Sequence, residues 1–94
     1  MDEIVWTQRA RHNLEDIGEY IAQDDPHAAE RTIRRIVEQV SGLAFYPQIG
    51  RVGSVEDTRE LVVSDTPYIV VYRIRERVEI LRVRHAAQRW PDFL

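Results

Sequence analysis

The chain has 94 residues, 44% of them hydrophobic and 31% charged, with a formal net charge of −3 and no cysteine. One folded domain is expected, and the composition excludes a disordered chain, a disulfide framework, a thiolate metal site and a thiol nucleophile. The start, Met1-Asp2-Glu3-Ile4, is acidic where a secretory leader is basic, and no apolar run approaches the roughly 18 residues that cross a bilayer, so a cytoplasmic protein without membrane partners is expected.

Ile4-Val5-Trp6 is a short apolar run, long enough to add one strand to a sheet, and Thr7 offers an N-cap hydroxyl after it. Ala10, Leu14, Ile17 and Ile21 then fall at steps of four, three and four. That spacing predicts a helix from Gln8 to about Gln23, with Glu15, Asp16 and Glu19 off its apolar stripe. Gly18 weakens this helix, and a close helix contact would explain it. Asp25-Pro26 predicts a cap and first turn for a second helix, in which Ala29, Ile33, Ile36, Val37, Val40, Leu43 and Ala44 keep helical spacing up to Tyr46-Pro47. The short connection makes the two helices an antiparallel hairpin.

Gln48 to Asp57 has no periodicity and reads as a surface loop. From Thr58 onward, three runs rich in Val, Ile, Leu and Tyr, separated by Ser64-Asp65-Thr66-Pro67 and Arg75-Glu76-Arg77, predict a three-stranded antiparallel meander. Tyr68-Ile69-Val70-Val71-Tyr72 is apolar on both parities, as in a central strand covered on both faces. In the last run Arg82 and Arg84 share one parity, Leu81, Val83 and His85 the other. Ala86 to Pro91 is a short helical turn or an irregular tail. The fold class is therefore α+β: an N-terminal strand, a two-helix hairpin and a meander forming one antiparallel sheet with the helices on one face.

Charge is unevenly spread. Residues 1–72 hold seven Arg and thirteen acids, and residues 73–94 six Arg and three acids; there is no Lys. The basic carboxyl-terminal segment is either a surface for an anionic partner or a set of solvated strand and hairpin residues.

No glycine-rich phosphate loop, metal-ligand spacing or nucleophile elbow is present, so no cofactor, metal or small-molecule substrate is expected. His12 and His27 fall on predicted helix surfaces and read as solvated. His85 ends a strand just after Arg82 and Arg84. It either exchanges a proton there or hydrogen-bonds the strand end and packs on the tail. A metal-free ribonuclease would need a base, an acid and cations: His85 or Glu60 as base and Arg59, Arg73, Arg82 or Arg84 as cations are the candidates. Tyr68, Tyr72 and Trp90 are core residues or base-stacking platforms.

Several short motifs resemble the ParE/RelE superfamily of bacterial type II toxins, also called plasmid stabilisation proteins. They are Trp6 with Ala10, Leu14, Ile17 and Tyr20-Ile21; Pro26 with Ala28-Ala29; Leu43, Pro47 and Gly50-Arg51; Arg59-Glu60-Leu61; Pro67 to Arg73; and Val83 to Pro91. The resemblance implies a cytoplasmic toxin, a cognate antitoxin encoded nearby, and growth inhibition by poisoning DNA gyrase (ParE-like) or by cutting mRNA on the ribosome (RelE-like); an inactive toxin-fold binding module is a third possibility. Similar nucleases place an arginine just after the first aromatic of the central strand, where this chain has Ile69, which favours the ParE-like branch. Target-binding candidates are Arg82, Arg84, Arg89 and Trp90, and antitoxin-binding candidates are Tyr72, Arg73 and Arg75.

Overall fold

The computed structural model describes residues 1–88; the binding candidates Arg89 and Trp90, and the end of the expected tail, lie outside the described residues. The chain runs β1 (Ile4–Trp6), α1 (Gln8–Ala22), α2 (Pro26–Ser41), a 3-10 turn (Gly42–Ala44), β2 (Arg51–Val52), β3 (Arg59–Val62), β4 (Tyr68–Ile74) and β5 (Val78–His85). The strands form one sheet in the order β1-β5-β4-β3-β2.

Both helix starts form where their caps predict. The Thr7 hydroxyl oxygen accepts from the Ala10 amide at 3.2 Å and donates to the Ile80 carbonyl at 2.7 Å, so one side chain starts α1 and ties it to β5. The Asp25 carboxylate accepts from the His27 and Ala28 amides at 3.1 Å each, with Pro26 in the first turn of α2. A Cβ on Gly18 would lie 3.7 Å from Ile33, in ordinary contact, so crowding does not require this glycine.

The meander forms as expected, β3 antiparallel to β4 and β4 to β5. Two features differ. β1 runs parallel to β5, Ile4 opposite Val78 and Trp6 opposite Ile80, so the sheet is mixed rather than purely antiparallel. The direction follows from the connection: the chain leaves β1 through a helical hairpin, a crossover that a parallel pair needs. Within the expected loop, Arg51–Val52 pairs with Arg59–Glu60; two residues are too few to show a period.

One helix-facing core joins Ala10, Ile36, Val40 and Leu43 to Val63, Tyr68, Val70, Tyr72, Val78, Ile80 and Val83, with Leu14, Ile17 and Ile21 packed against it. β5 reaches this core through a register shift. Tyr72 faces Ile80 but Val71 faces Arg82, so Leu81 has no partner across the pair. The extra residue reverses the alternation: Val78, Ile80 and Val83 all reach the core, and Arg84 pairs with Ile69 on the opposite face.

Candidate functional site

On the sheet face away from the helices, β3 supplies Glu60, β4 supplies Ile69, Val71 and Arg73, and β5 supplies Arg84. Ile69 and Val71 are 5% and 0% exposed, while Val62, opposite Ile69 on the same face, is 51% exposed. Glu60, 5% exposed, accepts from Nε and an Nη of Arg51 at 3.1 and 2.9 Å, and Arg84 places an Nη at 3.9 Å. The Arg84 side chain is only 8% exposed. All of these contacts converge on one oxygen, Oε1, of the buried carboxylate.

The basic segment is largely matched by carboxylates. Arg73 bonds to Glu79, Arg75 reaches Asp57 at 3.1 Å, and Arg77 reaches Glu3 at 3.8 Å. These exposed pairs add little stability, but they lower the field a polyanion would feel. Tyr72 is wholly buried: its hydroxyl donates to the Pro47 carbonyl at 2.7 Å and accepts from the Gly50 amide at 2.9 Å. Arg59 supports the same loop, donating to the carbonyls of Gln48 and Gly50 at 3.2 and 2.7 Å.

β5 continues past the end of β1, and its outer edge is capped by side chains. The Asn13 carbonyl oxygen accepts from the Val83 amide at 3.0 Å, and that of Gln88 from the His85 amide at 2.8 Å. Beside this edge lies an open cleft of about 450 Å³, lined by Asn13, Asp16, Tyr20, Tyr68, Arg82 and His85 among others. The exposed His85 ring meets Tyr68 edge-on, with centroids 5.4 Å apart. Its Nδ1 accepts from the Ala87 amide at 3.0 Å, which places the proton of the neutral ring on Nε2. The nitrogen facing away from that bond is therefore a donor, and His85 works as a base only if the bond to Ala87 opens.

Burial raises the phenols of Tyr68 and Tyr72 above their ordinary value of 10.0; the charge of Tyr20 adds to the first, and the Gly50 amide and Arg59 partly oppose the second. Their ionisation is disfavoured in the folded state, so the unfolded chain loses these protons first, and the stability they contribute is present below about pH 10 and lost as pH rises above it. Urea titrations should therefore give a lower unfolding free energy at pH 11 than at pH 9. In Tyr72→Phe the difference should shrink.

Apolar surface remains open elsewhere. A groove follows the outer side of the helix hairpin, where Trp6, Leu14, Gly18, Ile33 and Val37 line adjoining hollows. Phe45, Tyr46, Ile49 and Val52 stand exposed around β2. The sequence marks Tyr46 only as a helix stop and gives the other three no role, although Ile49 and Val52 are apolar residues in an aperiodic loop. It also passes over Asn13, whose role depends on a strand 70 positions away.

Over residues 4–90 the sequence matches the family described as ParE toxin of type II toxin-antitoxin system, parDE. "Putative toxin Y4kP" of Sinorhizobium fredii is 54% identical over 91 residues, which cover 97% of this chain and 95% of that protein. Toxin RelE2 of Caulobacter vibrioides is 42% identical over 89 residues, 94% of this chain and 99% of that protein. Among solved structures, a chain of the chromosomal ParDE TA system from P. aeruginosa superposes with a TM-score of 0.82 at 28% identity, over 90% of this chain and 96% of that one.

Proposed function

The chain belongs to the ParE toxin family of type II toxin-antitoxin systems, and from that premise we propose that it stops growth by binding DNA gyrase and trapping a cleaved-DNA state. A cognate antitoxin is the partner the family implies. The observation that carries the gyrase reading is the enclosed Arg51–Glu60–Arg84 cluster. An RNA-cutting toxin needs an accessible base and cations on this sheet, but here Glu60 is buried with one oxygen bonded to Arg51, Arg84 is buried and the place of the strand arginine is taken by buried Ile69. His85 adds to this, since its Nδ1 is bound to the backbone.

The antitoxin docks as an amphipathic helix along the groove between α1 and α2, where Leu14, Ile33 and Val37 supply apolar contacts.

Purified toxin should inhibit supercoiling by gyrase and accumulate cleaved DNA, and His85→Ala should leave that inhibition within about threefold. In the competing RelE-like reading, ribosome-dependent mRNA cleavage appears instead, and His85→Ala lowers its rate by about a hundredfold or more. That result would overturn the gyrase assignment.

A further inference from the structure

The segment between the 3-10 turn and β2 combines two properties that oppose each other in an ordinary loop. Phe45, Tyr46, Ile49 and Val52 are 66%, 69%, 66% and 79% exposed. Yet the backbone beneath them is fastened at four points by side chains of the central strands. Tyr72 holds the Pro47 carbonyl and the Gly50 amide, and Arg59 holds the Gln48 and Gly50 carbonyls. Further bonds from Tyr46 to Gly42 and from Ile49 to Tyr46 close the turn on itself. Large apolar side chains on a loop that is already ordered lose little conformational entropy when a partner covers them.

We propose that this knuckle, Phe45 to Val52, is the surface through which the toxin grips its target, and that the occupant is a protein with a near-neutral apolar hollow. The proposal rests on the reading of the chain as a toxin with a protein target. Charge decides the class of occupant. Among the eight residues from Phe45 to Val52 the only charged one is Arg51, and its guanidinium is already bonded to Glu60. A polyanion such as DNA or RNA is held mainly by several cations at once, and this surface does not supply them. Aromatic and aliphatic groups that enter a pocket are the residues that dominate protein interfaces. The knuckle is also separate from the groove along the helices, because no residue lines both. Target and antitoxin therefore have different footholds on the same molecule.

The test uses the full chain produced with its antitoxin, and the triple variant Phe45→Ser, Tyr46→Ser, Ile49→Ser beside the single variant Tyr46→Asp. All three side chains are exposed, so both variants should keep the melting temperature and the co-purified antitoxin. Growth inhibition after release from the antitoxin should fall by about a hundredfold for the triple variant and about tenfold for the single one. Unchanged growth inhibition in the triple variant overturns the proposal. So does loss of the antitoxin from the variant, which would give the knuckle to that partner. A wild-type dimer that the triple variant converts to a monomer gives it to a second copy and likewise overturns it, as does a wild-type chain with no toxicity. Supercoiling assays separate this idea from the gyrase reading. If wild type leaves gyrase untouched while the variant loses toxicity, the knuckle stands and the gyrase assignment falls. If both proteins inhibit gyrase equally, the reverse holds.

Discussion

Gly50→Ala is expected to lower the unfolding free energy by about 3 kcal/mol, near the upper end for forced overpacking, and the melting temperature by roughly 12 to 24 °C for a domain of this size. A Cβ at this position would come within 2.5 Å of the Tyr72 hydroxyl oxygen, 2.7 Å of its ring and 2.9 Å of the Glu60 carbonyl oxygen. Tyr72 is fully buried in the middle strand and Glu60 belongs to the sheet backbone, so neither can step aside without opening the core. The residue is a glycine because a loop and a sheet meet there without room for a side chain. Thermal melts followed by circular dichroism check the result, and a drop of less than about 4 °C would show that the loop relaxes away from the strand.

Glu60→Ala should cost about 3 kcal/mol, because it removes a buried carboxylate that is bonded to Arg51 and lies 3.9 Å from the buried Arg84 guanidinium. Arg51 is more than half exposed and recovers hydration on losing its partner, so most of the loss arises at buried Arg84. The double variant Glu60→Ala, Arg84→Leu should recover part of the stability, since an apolar pair replaces a buried ionic one. A general base would behave otherwise: toxicity per folded molecule would collapse in the single variant and would not return in the double. Denaturant titration alongside growth inhibition separates the two.

Much of the architecture was legible in the chain itself. Thr7 and Asp25-Pro26 announce two helix starts by short-range chemistry, and the meander announces itself by runs of β-branched residues between turn signals. What escaped depends on partners far away in sequence. β1 gives its position by its apolar run but not its direction, which the crossover decides. Tyr72 looks like a surface candidate until its hydroxyl is seen bonded to Pro47 and Gly50, more than 20 positions away. Arg84 reads as exposed because arginine seldom goes inside; Glu60, on a strand reached only through β4, makes its burial tolerable. The site was less legible than the fold for that reason. Periodicity reports which face a residue takes, whereas availability for binding depends on what else has come to that face.

The placement of β1 bears on when a newly made chain completes its fold. Its neighbour is synthesised more than 70 residues later, and the Thr7 hydroxyl waits for Ile80, 73 positions downstream. A product cut short before Val78 has an orphaned first strand, an α1 without its mooring and a β4 with one flank bare. A chain interrupted there thus has the helices without the sheet order that seats them.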